Sequence, residues 1–224
     1  MIYDNKGFTL IELLIGMALG SILMGLIVYS FWSQTMLGRD EKAVVEMNQN
    51  LRSALYLMER DIMMAGYDPN PDDNVPATIL TASPTVFSFQ IIDDATGNVA
   101  TVTYDLYDAR GNGIMDIGRS FNPGDGVTAT TKGAVAENIE ALEFFYTLAD
   151  GTRATNITDN PATPVNELDQ IRSVGISILG RTATGVRGVD NRTYTTLSGN
   201  TWGPYNDNIR RQIVTMFIDC RNMG

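Results

Sequence analysis

Residues 6–32 read KGFTLIELLIGMALGSILMGLIVYSFW. After Lys6 the one charge in this stretch is Glu12, and from 13 to 32 there is none. A helix rises ~1.5 Å per residue, so the charge-free run alone reaches across the ~30 Å hydrocarbon core of a bilayer. The stretch therefore reads as a membrane-spanning helix, and its difficulty is the carboxylate, since a charge in a span is costly unless something neutralises it. A cleavable secretory signal is the competing reading, and Ala18, Leu19 and Gly20 have the small-residue look of its cleavage site. The apolar run continues through Ile27 and Val28, however, so a cut there would leave a hydrophobic end. Basic residues do not orient the span: Lys6 has Asp4 nearby on one side, against Arg39 and Lys42 on the other. Gly16 and Gly20 form a G-x-x-x-G pair, with Gly25 beyond. That smooths one face for close helix contacts, and it equally fits the ordinary glycine enrichment of membrane helices.

Beyond Gly38 the apolar residues recur at Val44, Met47, Leu51, Ala54, Leu55, Met58, Ile62 and Ala65, in steps of three and four that trace one helical face. Glu46, Asn50, Arg52, Ser53, Glu59 and Arg60 fall between them. This predicts an amphipathic helix that continues the span and stops near Gly66, ahead of the turn-like YDPNPDDNVP. Unbroken from 8 to 65, it would measure ~87 Å. Its methionines, at helical spacing, read as core. After Pro69 the pattern becomes β-rich: TVFSFQII and VATVTYDLY alternate around DDATGN, a hairpin signal, and NIEALEFFYTL, IRSVGISILGRT and IRRQIVTMFIDCRN follow. The expected architecture is α+β, with the helix stripe covered by an antiparallel sheet of about five to seven strands.

The chain of 224 residues suffices for one medium domain plus an appendage. Its 16 basic and 26 acidic residues give a net charge of −10, which repels phosphate backbones, so no nucleic-acid partner is expected. Histidine is absent, which removes the commonest general base and zinc ligand. There is no G-x-S-x-G, no Walker loop and no set of metal-spaced cysteines, and nothing singles out one pair among the many carboxylates for glycosidase chemistry. The reading is therefore of no enzyme, no catalytic residues and no cofactor. The lone cysteine, Cys220, cannot form an internal disulfide and sits in a strand-like run.

YDARGNGIMDIG places Asp108, Asn112 and Asp116 in a degraded version of a calcium loop. Arg110 stands at a ligand position and no glutamate closes the loop, so a plain glycine turn between strands is the stronger reading. The Thr-, Asn- and Gly-rich segments 152–166 and 181–208 are long enough to suggest variable contacts. Asn156 and Asn191 fall in N-x-[ST] sequons.

The heptapeptide 7–13, GFTLIEL, resembles the type IV prepilin processing motif of pilins and type II secretion pseudopilins. The resemblance implies a short leader, 1–7, cut on the cytoplasmic side after Gly7 by a prepilin peptidase, with N-methylation of the new terminal Phe8. It also implies a single-pass anchor in a bacterial inner membrane, with the bulk of the chain outside the cytoplasm and later on the pilus or cell surface. On this scheme Glu12 of an incoming subunit pairs with the terminal amine of its neighbour, and the amine lies one helical turn from the carboxylate. The domain map becomes leader 1–7, transmembrane and filament-core helix 8–37, amphipathic helix 38–66 and β-rich head 67–224. The order of LRSALYLMERDIMMAGY, ENIEALEFFY, IRSVGISILGRT and RRQIVTMFIDCRN is similar to minor pilins of the PilW type, related in architecture to the J pseudopilins of type II secretion. Implied partners are other minor and major pilins, the peptidase and the inner-membrane assembly platform. The implied role is a minor subunit of a tip complex that primes assembly, the alternatives being a J-like pseudopilin and a tip adhesin on the same anchor.

Overall fold

The computed structural model describes residues 7–70, 77–93, 96–127, 130–158 and 166–223. One helix, α1 (Leu10–Met63), carries the whole amino-terminal pattern. The chain divides into two compact units, Met1–Lys42 and Ala43–Gly224.

In the first unit the apolar side chains of α1 are largely uncovered among the described residues: Leu13, Ile22, Ile27 and Phe31 are all more than half exposed. An 18-residue window of the helix reaches a mean hydropathy of 2.3 with none of it buried. A surface this apolar has to be covered by lipid or by other chains.

In the second unit the stripe read from the sequence is the buried face. Met47, Leu51, Ala54, Leu55, Met58 and Ile62 are buried, and Val44 packs at the margin. The helix ends slightly before the expected Gly66, which follows in a turn with a left-handed φ of 74°. Glycine is needed there twice over, for that φ and because the Met223 side chain occupies the place of a Cβ.

The sheet is antiparallel throughout. Its strands are β1 (Ile79–Ala82), β2 (Phe87–Ile92), β3 (Val99–Tyr107), β4 (Met115–Asn122), β5 (Thr131–Leu148), β6 (Arg153–Ala154), β7 (Ile171–Arg181) and β10 (Arg211–Asp219). The order is β1-β2-β3-β4-β5-β7-β10, with β6 paired to β5. The eight strands of this sheet among the described residues exceed the expected five to seven. The surplus comes from the four-residue β1, the two-residue β6 and β4, whose sequence MDIGRSFN does not alternate. A separate pair, β8 (Tyr194–Thr195) and β9 (Thr201–Trp202), forms a small hairpin.

The inner face of the sheet meets the helix stripe through Phe89, Val102, Tyr104, Phe144, Ile176 and Ile178 among others. Phe87 anchors an aromatic group, with ring centroids 5.3 Å from Phe89, 5.8 Å from Phe144 and 5.7 Å from Tyr146. Each such side chain contributes about 1.5–3 kcal/mol by leaving water. Helix and sheet approach closely at Gly180, where an added Cβ would stand 2.8 Å from a Leu51 methyl.

Polar contacts fix the end of the helix. Tyr104 Oη donates to Asp61 Oδ2 at 2.7 Å and Arg119 Nε donates to the same oxygen at 2.5 Å. Burial, with the Asp61 charge beside it, pushes the Tyr104 hydroxyl far above the usual phenol range, so it stays a donor.

The outer face is partly roofed by the small hairpin. Leu197 N donates to Ser177 Oγ at 3.0 Å and Asn200 Nδ2 donates to Glu143 Oε2 at 2.7 Å. The roof explains why β7 is buried along nearly its whole length rather than on alternate residues.

Candidate functional site

The helix begins where the heptapeptide does. Residues 7–9 are not helical and α1 starts at Leu10, which puts Thr9 at the cap position and Glu12 three residues on. Thr9 N and Thr9 Oγ1 both donate to Glu12 Oε2 at 2.9 Å, and Glu12 N donates to Thr9 Oγ1 at 3.3 Å. This is a reciprocal capping box, which satisfies backbone donors that a helix start otherwise leaves open. Phe8 projects just ahead of it, 91% exposed, and Gly7 is exposed with no described atom crowding it. The other leader residues, 1–6, lie outside the described residues.

Gly7, Phe8 and Glu12 are thus brought to one place, the exposed start of an apolar helix. Thr9 joins them as a residue that a charge-centred reading of the stretch misses, although T-x-x-E is a capping signature legible in the sequence. At Gly16, Gly20 and Gly25 nothing beyond the helix's own neighbouring backbone stands within 4 Å of where a Cβ would be, so no packing among the described residues requires glycine there.

Of the calcium-loop candidates, Asp108 and Asn112 sit in the turn joining β3 to β4 and Asp116 in β4 itself, and their oxygens point to different partners. Asp108 accepts from Asn112 N at 3.1 Å and from Gly113 N at 2.7 Å. The Gly113 bond leads in holding its carboxyl below the usual range, against slight burial. Asn112 Oδ1 accepts from Ile114 N at 2.9 Å. Asp116, fully buried, turns Oδ1 to Arg110 Nη2 at 2.9 Å and Asn138 N at 3.0 Å. Among the described residues no group of three or more acidic, histidine or cysteine side chains converges to hold a metal.

The segment 181–208 is pinned by a knot of charges. Arg211, with 2% of its side chain exposed, donates through Nη1 and Nη2 to the two oxygens of Asp207 at 2.7 and 2.8 Å, and through Nε to Glu140 Oε2 at 2.9 Å. Its guanidinium lies 3.9 Å from the centre of the Tyr205 ring. The Arg211 bonds hold the Asp207 carboxyl down to about 2. Asp190 accepts from Arg192 Nε at 3.0 Å, Tyr194 Oη at 2.6 Å and Arg211 N at 3.2 Å, and the Arg192 bond leads in depressing its carboxyl strongly. Of the segment 152–166, residues 159–165 lie outside the described residues. The sequon residues Asn156 and Asn191 are both exposed.

Two family models match the chain. Residues 3–28 match the prokaryotic N-terminal methylation motif, and residues 91–222, more than half the chain, match the type IV pilus-assembly protein W. The chain belongs to the PilW family. It is a type IV pilin-like minor pilin, and the members of such families are structural subunits. This PilW-family chain is also similar to the pilin-like protein PilA3 of Thermus thermophilus, 24% identical over 214 residues that cover 88% of each chain. Membership implies contacts with other pilins and with the pilus machinery, and the motif with its uncovered apolar helix indicates membrane anchoring.

Proposed function

We propose that this PilW-family pilin joins a small complex of minor pilins at the filament tip and primes assembly by the inner-membrane platform. Prepilin peptidase cuts after Gly7 on the cytoplasmic side, and Phe8 becomes an N-methylated ammonium terminus, with the head outside the cytoplasm. The leader is then 1–7, the filament-core helix 8–37, its amphipathic continuation 38–66 and the head 67–224. Glu12 of the incoming chain pairs with the Phe8 amine of a neighbour, which removes two isolated charges from a low-dielectric surrounding and sets the axial register of the subunits.

The observation that carries this reading is the Thr9–Glu12 capping box at the exposed start of an uncovered apolar helix. Both bonds from Thr9 fall on Oε2. An incoming amine can therefore bond Oε1 while the cap stays intact. Glu12 serves two ends at once, starting the helix and receiving a neighbour.

The test is Glu12→Ala in the host that builds the filament. The variant should remain cleaved and membrane-bound and be absent from sheared filaments, with filament number reduced. Normal incorporation of cleaved Glu12→Ala protein contradicts the pairing mechanism.

A further inference from the structure

The two edges of the sheet are treated differently. β1 is covered: Ile157 N donates to Ala82 O at 2.8 Å, and Thr78 Oγ1 just ahead of the strand donates to Asp169 Oδ1 at 2.5 Å. β10 forms the other edge. It pairs with β7 over nine consecutive residues without a bulge, whereas β1 with β2, β4 with β5 and β5 with β7 all carry irregularities.

The direction of each β10 backbone group can be read from its ends. Cys220 N donates to Arg172 O, so the even-numbered residues bond inward to β7. Arg211 N donates to Asp190 Oδ2, and Arg211 O accepts from Arg192 Nη2 at 3.1 Å, so the odd-numbered residues face outward. The charge knot caps that first outward residue. The second, Ile213, has its carbonyl bonded by Gln212 Nε2 at 3.2 Å. At Thr215, Phe217 and Asp219 the outward N–H and C=O groups have no hydrogen-bond partner among the described residues.

This row has the two-residue repeat of an antiparallel ladder and little of the usual protection: 212–218 holds no charge, no proline and no bulge, and the row's one charge, Asp219, stands at its end. Apolar groups flank it on both faces. Val214 and Met216 are only partly buried on the α1 side, and Phe217, 49% exposed, lies beside Leu197 over Gly175 on the other.

We propose that the β10 edge, 213–219, receives an extended segment of a different subunit of the pilus assembly, which adds a strand to the sheet. The proposal rests on reading the chain as a subunit of a multi-pilin complex. The open backbone row calls for an extended polypeptide, and the half-covered Val214, Met216 and Phe217 call for apolar residues at alternate positions along it. The occupant follows from the family: membership implies contacts with other pilins, and a minor subunit of such an assembly meets other kinds of subunit more often than its own.

The test uses the full-length chain in its filament-building host, with the photoreactive benzoyl-phenylalanine in place of Phe217 and, as a comparison, in place of Leu80 on the covered edge. The expected adduct from position 217 joins another pilin-like subunit, with the cross-link mapped by mass spectrometry to an extended segment of it. Thr215→Pro deletes only an outward N–H, at a place where an edge strand tolerates proline, and should lower adduct yield about tenfold, while Thr215→Val leaves it unchanged. An adduct insensitive to Thr215→Pro, one at twice this chain's own mass, or adducts from position 80 alone overturns the proposal. Adduct formation does not depend on filament number. If Glu12→Ala assembles normally while the 217 adduct persists, the pairing mechanism fails and the strand-addition proposal stands.

Discussion

Replacing Arg211 with methionine removes the charge at the centre of the knot while keeping an apolar stem of similar length. Asp207 loses both of its bonds to the guanidinium and Glu140 loses its 2.9 Å bond. Glu140 is left with Arg181 Nη1 at 3.5 Å and Asp207 with the backbone N–H of Ile209 at 3.0 Å. Breaking a fully buried ion pair costs about 3–5 kcal/mol, but Asp207 keeps 39% of its side chain exposed and Glu140 19%, so water recovers part of the loss. A cost of about 2–3 kcal/mol follows, and for a chain of this size each kcal/mol lowers Tm by about 2–4 °C. The assay is thermal unfolding of the full chain in detergent, followed by the fluorescence of Trp202 in a Trp32→Phe background, since the chain has two tryptophans and Trp202 lies in the small hairpin. Arg211→Met should lower the midpoint by about 4–12 °C, and adding Asp207→Asn should restore part of it, because one stranded charge is then gone. A shift under about 1 °C, or a double variant that loses the full sum of the two single effects, would refute the account of the knot.

Other consequences follow from the same geometry. Asp207 is held down to about 2 and Asp190 is depressed as well, so both contribute stability in full above the ordinary carboxyl value of about 4 and lose it as pH falls toward 2; Trp202 fluorescence should be flat from neutral to about pH 4 and change below it. Gly180→Ala should destabilise the head by about 1–3 kcal/mol through its clash with Leu51, and Leu51→Ala by about 2–5 kcal/mol through a cavity. The double variant should lose clearly less than their sum, as measured by denaturant midpoints. The Cys220 thiol is buried, and that burial pushes its pKa up to about 12, so a thiol reagent at pH 8 should label it only after denaturation.

The parts of the fold that were legible in the sequence are those whose signal is local. Met47, Leu51, Ala54, Leu55, Met58 and Ile62 announce their face through spacing alone, and β2, β3, β7 and β10 announce themselves through runs of β-branched and aromatic residues. β4 is hidden because its residues answer to distant neighbours. Gly118 has no room for a Cβ between Lys132, Tyr107 and Asp105, Asp116 turns to Arg110, and Arg119 turns to Asp61 on the helix. The segment 181–208 reads as loop because its polar residues carry no period. What holds it is Arg211 bonding Glu140, 71 positions away in the chain, and Ser177 and Glu143 docking the hairpin. At the amino terminus the motif names Gly7, Phe8 and Glu12, while Thr9 passes unnoticed when Glu12 is read only as a charge in a span. The unpaired backbone row of β10 has no sequence signature, since it depends on which strands lie at the edges.

Capping and pairing make different demands on Glu12, and one substitution separates them. Glutamine at this position can still accept from Thr9, so Glu12→Gln keeps the helix start while removing the charge that the proposed pairing with a neighbour's Phe8 amine requires. The direct measurement is the amount of cleaved Glu12→Gln protein in sheared filaments relative to the membrane fraction, beside the unaltered chain. The account predicts normal cleavage and membrane content with loss from the filaments. Glutamine incorporating as well as glutamate would contradict it, because the carboxylate would then serve only to cap its own helix.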